Sequence, residues 1–156
     1  MPQTSLTFRF KQPFRVSAQE AFDWCTDFRE EDAKKFPFPL RRTIRWLTPD
    51  ALLMTDVSFP EGKRRRVQRL VRINAPERSW TNTHVSGPFT HSQYWYSVVP
   101  DGPRRSHLEF RGLRIITTPK KLDRKTVERL TQEERQGDAT LWGKYLGPAL
   151  ERDLGR

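Results

Sequence analysis

The stretch TQEERQGDATLWGKYLGPALERDL, from Thr131 to Leu154, is the only long segment of the chain whose apolar residues recur at helical spacing. A helix with about 3.6 residues per turn would carry most of these apolar residues on one side. That side consists of Leu141, Trp142, Tyr145, Ala149 and, less centrally, Leu146. Such a stripe requires an apolar partner surface, so the stretch predicts a long C-terminal helix that packs against the rest of the chain.

Two features of the same stretch predict where the helix begins and where it bends. Thr131-Gln132-Glu133-Glu134 has the pattern of a capping box, in which a hydroxyl and a carboxylate accept from free backbone N–H groups. Pro148 has no N–H, and its ring crowds the carbonyl of Lys144. We therefore expect one bent helix that begins at Thr131 and has a kink near Gly147.

The chain before this helix has the pattern of strands joined by short turns. Leu6, Phe8 and Phe10 alternate with polar residues, which predicts a half-buried strand that ends at Pro13. Six further strand-like segments are separated by turns rich in Pro, Gly and Asp. They are Arg41–Leu47, Leu52–Phe59, Arg64–Asn74, Ser79–Ser86, Phe89–Val99 and Ser106–Ile116. Because their connections are of hairpin length, these strands should pair antiparallel in sequence order, with the first strand added at an edge.

Between the first strand and this meander the sequence predicts a pair of short helices. Ser17-Ala18-Gln19-Glu20 is a second capping-box pattern. The helical face that follows it consists of Ala21, Phe22, Cys25 and Phe28. The charged segment Arg29–Lys35 adds a further helical turn, until Phe36-Pro37-Phe38-Pro39 forces extended backbone.

Together these elements predict an α+β fold in which a curved seven-stranded antiparallel sheet is wrapped around the long C-terminal helix. With 156 residues the chain is long enough for one buried core and too short for two, so residues 1–156 are expected to form a single domain. The lone Cys25 forms no intramolecular disulfide, and no leader or apolar span is present, so we expect a cytoplasmic protein.

The order of the elements and two motifs resemble the START/SRPBCC helix-grip superfamily. The motifs are FRVSAQEAFDW at Phe14–Trp24 and YWYSVVPDG at Tyr94–Gly102. The superfamily includes pollen-allergen-like proteins, polyketide cyclases and lipid-transfer domains. The resemblance covers nearly the whole chain and implies a pocket between the sheet and the C-terminal helix that binds an apolar or amphipathic small molecule.

Strand parity selects the residues that would line this pocket. The predicted ligand-binding residues are Trp46, Met54, Trp80, His84, Tyr94, Tyr96, Phe110, Asp138, Trp142 and Tyr145. The polar tips of Tyr94, Tyr96 and Tyr145 would orient an amphipathic ligand, although an ordinary aromatic core would produce the same pattern. Asp138 falls on the apolar stripe, where a raised pKa would allow acid–base chemistry, but a solvated position near the rim is the favoured expectation.

The sequence therefore favours a non-enzymatic binding or transfer protein for a hydrophobic or amphipathic small molecule. An alternative is an enzyme similar to the aromatase/cyclases, with Tyr94, Tyr96, His84 or Asp138 acting on a reactive carbonyl chain. No catalytic residue can be assigned from spacing. No cofactor or metal is expected either, because glycine-rich phosphate loops, paired cysteines and metal-spaced histidines are missing from the sequence.

A third possibility follows from the charge of the chain. Twenty-nine Lys and Arg against 19 Asp and Glu give a net charge of +10, which favours anionic partners but also fits a merely solvated surface. Alternate loops of a meander share one end of the sheet, which should gather Lys63, Arg64, Arg65, Lys120 and Lys121. This end would contact an anionic membrane surface or RNA without sequence preference, unless Glu61 and Asp123 neutralise it.

Overall fold

All the strands of the computed structural model, which describes residues 1–156, belong to one antiparallel sheet. They are β1 (Gln3–Phe14), β2 (Leu40–Thr48), β3 (Ala51–Ser58), β4 (Arg65–Asn74), β5 (Ser79–Ser86), β6 (Gln93–Gly102) and β7 (Arg105–Thr117). Their order across the sheet is β1-β7-β6-β5-β4-β3-β2. The predicted meander, with the first strand added at an edge, is confirmed.

Most strand boundaries lie within one to three residues of the sequence prediction, and two of the differences have a clear physical cause. β1 continues through Pro13, which pairs with His107, and ends at Phe14. A proline is tolerated there because β1 is an edge strand, whose outward N–H groups have no strand to bond. β6 begins at Gln93 and not at Phe89, because residues 88–91 form a turn in which His91 has a φ of 77°.

The predicted helix pair follows β1 as α1 (Ala18–Thr26) and a 3-10 helix (Glu30–Lys35). Ser17 caps α1, since its Oγ accepts from the backbone N–H of Glu20 at 3.2 Å. The Glu20 carboxylate accepts from the same hydroxyl and does not reach the Ser17 backbone. The capping prediction is thus confirmed for the serine.

The C-terminal helix begins seven residues, or about two turns, earlier than predicted. Its first segment, α2, spans Arg124–Thr140, and Asp123 caps it by accepting from the backbone N–H of Thr126 at 2.7 Å. The capping box predicted at Thr131 is wrong, because Thr131 lies inside the helix and its hydroxyl donates to the Val127 carbonyl. Apolar periodicity missed the first turns because none of their residues is buried.

A π-helical turn lies just before Gly147, where the sequence predicts a kink. This turn spans Leu141–Leu146, and the helix continues as α3 (Gly147–Asp153). The Gly147 N–H donates to the carbonyl of Trp142, five residues back, which is the bonding of a π turn. Gly147 also meets a steric demand, since a Cβ there would lie 2.7 Å from the same carbonyl oxygen.

The helix closes the concave side of the sheet with residues spaced four apart. Trp142, Leu146 and Leu150 are all buried, and the Trp142 ring lies 6.2 Å from that of Phe14 at the end of β1. The predicted α+β fold, with a curved seven-stranded sheet around a long C-terminal helix, is confirmed. A space remains between the sheet and the helix.

We predict that Gly147→Ala lowers the free energy of unfolding by about 1–3 kcal/mol, because the added methyl group overpacks against the Trp142 carbonyl. Gly137→Ala is the matched control: Gly137 is exposed in α2, its Cβ would meet nothing within 4 Å, and alanine has the higher helix propensity. The control should gain about 0.5–1 kcal/mol. Urea denaturation measures both values, and equal changes would contradict the π-turn packing.

Candidate functional site: a cavity between sheet and helix

A cavity of about 350 Å³ lies between the concave face of the sheet, the C-terminal helix and the α1 region. Its walls come from β2 to β7 on one side and from the π turn and α2 on the other. Aromatic rings form much of the surface: Trp80 stacks on Tyr96 with ring centroids 4.8 Å apart, and Phe110 contacts Tyr96 edge-on at 5.1 Å. The cavity is therefore largely apolar on this side.

The structure brings most of the sequence-predicted pocket residues together around this cavity. Those that line it are Met54, Trp80, His84, Tyr94, Tyr96, Phe110, Asp138 and Trp142. Two predicted residues, Trp46 and Tyr145, lie elsewhere. Strand parity on β3 to β7 thus located the inward side chains, and the two exceptions have separate physical causes.

Trp46 does not line the cavity, although it lies opposite the buried Leu52 in the β2–β3 register. It is 46% exposed, because β2 is the outermost strand and Trp46 lies at its end, beside the turn to β3. Tyr145 is displaced by the π turn. The wider turn places Leu146, rather than Tyr145, after Trp142 on the inner face, and Tyr145 is only half-buried.

A buried ion-pair network, which was not predicted from the sequence, lies on the β2 side of the cavity. Arg42 binds Asp56 through two parallel hydrogen bonds, Nε to Oδ1 at 2.8 Å and Nη2 to Oδ2 at 3.0 Å. Arg69 donates to the same Oδ2. Arg42 and Asp56 lie directly opposite each other on β2 and β3, at inward positions. Charged residues at inward positions of neighbouring strands were the signal that could have revealed this network.

Two more arginines reach the cavity, and they differ in their partners. Arg114 on β7 donates through Nε to the Tyr94 hydroxyl at 2.8 Å and pairs with Glu134 of α2 at 2.6 Å. Arg65 on β4 makes neither an ion pair nor a side-chain hydrogen bond, and burial lowers its pKa. Both guanidinium groups lie against the ring of Phe89, at 4.9 Å for Arg65 and 4.4 Å for Arg114.

His84 lies among these arginines on β5 and is 8% exposed. Burial is the main cause that lowers its pKa to about 3, and the positive charges of Arg69, Arg114 and Arg65 lower it further. The imidazole is therefore neutral near pH 7. Its Nδ1 atom is buried without a hydrogen-bond partner.

Asp138 projects from α2 onto the cavity wall and is partly buried, so the solvated position favoured from the sequence is wrong. Burial raises the pKa of this carboxyl to about 6, against the opposing effect of Arg114. Burial also raises the pKa values of Tyr94 and Tyr96. The cavity thus holds a carboxyl that titrates close to neutral pH.

The five residues of the predicted basic surface lie in two different places. Arg65 turns into the cavity, whereas Lys63, Arg64, Lys120 and Lys121 are exposed in loops at one end of the sheet. None of these four residues takes part in the ion pairs of the structure, and Asp123 is instead the cap of α2. Neither Glu61 nor Asp123 forms an ion pair with these four residues. The local neutralisation considered from the sequence therefore does not occur through direct ion pairs.

The other histidines lie away from the cavity. His91 is in the β5–β6 turn and not on a strand, and His107 lies on the outer face of β7, bound to Asp101 and Glu109. The chain contains no group of three His, Cys, Asp or Glu residues placed to hold a metal ion. None of its helices is both long and apolar enough to cross a membrane.

Comparison with known proteins gives matches in structure only. No model of a protein family matches the sequence, and no curated protein matches it. An aromatase/cyclase from Streptomyces sp. R1128 superposes with a TM-score of 0.78 at 10% identity, over 97% of this chain and 96% of that one. A START superfamily protein from Mycobacterium smegmatis superposes with a TM-score of 0.70 at 19% identity, over 94% and 98%.

A further similar structure is norcoclaurine synthase from Thalictrum flavum, with a TM-score of 0.71 at 9% identity over 98% of each chain. These structures all have the helix-grip fold. The chain therefore has the START/SRPBCC helix-grip fold, and the resemblance inferred from its sequence is confirmed at the level of the fold. Members of such a fold family differ in function, which has to be argued from the site.

We predict that Asp138→Asn stabilises the protein in a pH-dependent way. The folded-state pKa is raised, so ionised Asp138 destabilises the fold as the pH rises from 3.8 through about 6. The variant should therefore match the wild type near pH 4 and exceed it by up to about 3 kcal/mol at pH 7. Thermal and urea unfolding across this range measure the difference. Asp23→Asn, which removes an exposed carboxylate of α1, is the control, and a pH-independent effect of Asp138→Asn would contradict the prediction.

Proposed function

We propose that this chain is a single-domain cytoplasmic protein that binds or transfers a hydrophobic or amphipathic small molecule in the cavity. The observation that carries the proposal is the cavity itself: about 350 Å³ of space whose 27 lining residues include 16 hydrophobic ones. Ligand sites have this composition and this range of size. The aromatase/cyclase and the START protein share this fold, which supports small-molecule binding as the function of the cavity.

The shape of the wall supports an amphipathic ligand over a purely apolar one. Trp80 and Tyr96 stack with an interplanar angle of 4°, which leaves a flat apolar face beside Trp142 and Met54. The neutral polar side chain of His84 lies four residues further along β5, and the charged Arg69 lies opposite it on β4. A ligand with an apolar body and a polar end would match both regions.

We predict that the cavity binds the neutral fluorescent probe N-phenyl-1-naphthylamine and that Ser58→Trp weakens this binding at least about tenfold. Ser58 lines the cavity, and an indole at this position would fill part of the space. Val57→Trp is the matched control, because Val57 is the neighbouring residue of β3 and points to the other face of the sheet. Fluorescence titration measures both variants. Saturable binding that Ser58→Trp leaves unchanged would place the probe outside the cavity.

An enzymatic function similar to that of the aromatase/cyclases is the second candidate, and one observation favours it. All four residues considered for it from the sequence, Tyr94, Tyr96, His84 and Asp138, line the cavity. Asp138, with a pKa of about 6, could exchange a proton with a bound carbonyl compound near neutral pH, and neutral His84 could donate a hydrogen bond to its oxygen. This candidate depends on the raised pKa of Asp138, so the pH titration predicted above is its first test; an ordinary pKa would remove it.

The exposed cations suggest a third function, contact with an anionic surface. Lys63, Arg64, Lys120 and Lys121 have no carboxylate partner and lie at one end of the sheet. We predict that the protein binds phosphatidylserine vesicles at low salt and that binding falls as salt rises, because each contact is electrostatic. Changing these four residues to Ser should abolish it. Equal binding by both proteins, or binding by neither, excludes a role for the four cations, and short RNA tests whether any anionic polymer suffices.

A further inference from the structure

One end of the cavity concentrates positive charge around a neutral histidine. Arg69 lies directly opposite His84 in the β4–β5 register, and Arg65 enters from the start of β4. Arg114 approaches from β7 through its hydrogen bond to Tyr94, whose ring lies 5.4 Å from that of His84. All three arginines line the cavity together with His84, and their positive charges lower the pKa of its imidazole.

The carboxylates at this end are too few to neutralise the arginines. Four arginines face three carboxylates here: Asp56 is shared between Arg42 and Arg69, Glu134 pairs with Arg114, and Asp138 of α2 lines the cavity without an ion pair. Arg65 has no carboxylate partner, and Arg114 and Arg69 repel its charge. A guanidinium group in such a position is stabilised by any anion that enters the cavity.

Several buried hydrogen-bonding atoms at this end of the cavity also lack partners. Nε of Arg65 and Nε of Arg69 are buried without an acceptor, and Nδ1 of His84, on a residue that is 8% exposed and lines the cavity, is buried without any hydrogen-bond partner. Buried polar groups in folded proteins normally have partners. The two arginine N–H groups lack an acceptor, which an anionic oxygen would supply, whereas the orphaned Asn82 Oδ1 on the same wall lacks a donor.

We propose that Arg65, Arg69, Arg114 and His84 form an anion subsite that binds the carboxylate or phosphate group of the cavity's ligand. The apolar part of the ligand lies against Trp80 and Tyr96. The proposal rests on the proposed function and narrows its ligand class to amphipathic oxyanions. Arginine suits this task because its planar fork of donors matches the oxygens of a carboxylate or a phosphate.

The length of β5 sets the size of such a ligand. Trp80 and His84 are four residues apart on the strand and both line the cavity, which separates them by roughly 13 Å. The ligand therefore needs an apolar body of about this length attached to its anionic group. The exposed cations Lys63, Arg64, Lys120 and Lys121 lie at the same end of the sheet as the anion subsite and would attract such a molecule from solution.

Matched pairs of probes test the proposal with the wild-type protein alone. Decanoate and decanamide have the same shape and differ in charge, as do 2-naphthoate and 2-naphthamide; decyl phosphate is a third arm that distinguishes phosphate from carboxylate. Calorimetric titration should show that the wild type binds the anionic member of at least one pair about tenfold or more tighter than the amide. The tighter-binding anion of decanoate and decyl phosphate, which both carry a ten-carbon chain, identifies the preferred head group.

Variants then assign the preference to the subsite. Arg65→Met should reduce the preference for the anion to about threefold or less and leave the affinity for the amide unchanged. Arg66→Met is the matched control: it removes the same charge from the adjacent residue of β4, which is exposed and does not line the cavity, and it should keep the preference. Thermal unfolding confirms that each variant is folded.

The possible outcomes separate the two proposals. Equal affinity of the wild type for anion and amide overturns the anion subsite and leaves the small-molecule function in place. Binding of neither class, with N-phenyl-1-naphthylamine also failing to bind, overturns the proposed function and the subsite with it. A preference that Arg65→Met retains, or that Arg66→Met also loses, shows that general surface charge causes it and overturns the subsite.

Discussion

The cavity depends on one electrostatic constraint: charged groups that leave water must find partners. Asp56 is buried between Arg42 and Arg69, on three neighbouring strands of the concave face. Breaking such a pair by removing one member costs about 3–5 kcal/mol, because the other charge remains buried alone. Long, paired polar side chains therefore occupy positions where aliphatic residues would close the core, and the space beside them stays open.

The C-terminal helix completes this arrangement from the other side. Its π turn places Trp142 and Leu146 over the sheet and carries Asp138 onto the cavity wall from the preceding turn. Nearby arginines and burial act on Asp138 in opposite directions, and burial is the larger effect. The same helix also supplies Glu134, the partner of Arg114. The end of α2 and the π turn therefore provide both the packing against the sheet and the charge partner of Arg114.

Periodicity and turn signals were sufficient to predict the sheet, its strand order and most of the inward side chains, because a strand has a strict period of two. They misplaced Tyr145, since a π turn changes the helical period without any local signal beyond Gly147 and Pro148. They missed the arginines for a different reason. Charged residues were assigned to the surface by default, whereas Arg42 and Arg69 are inward because Asp56 on the strand between them offers a partner.

The five tryptophans of the chain provide the most direct test of the claim that the cavity is the binding site. Trp24, Trp80 and Trp142 line it, whereas Trp46 and Trp95 do not. Two-dimensional NMR resolves their indole N–H signals during a titration with decanoate or with N-phenyl-1-naphthylamine. Binding in the cavity predicts shifts for Trp80 and Trp142 with unchanged signals for Trp46 and Trp95. Shifts confined to Trp46 or Trp95, with Trp80 and Trp142 unaffected, would contradict it.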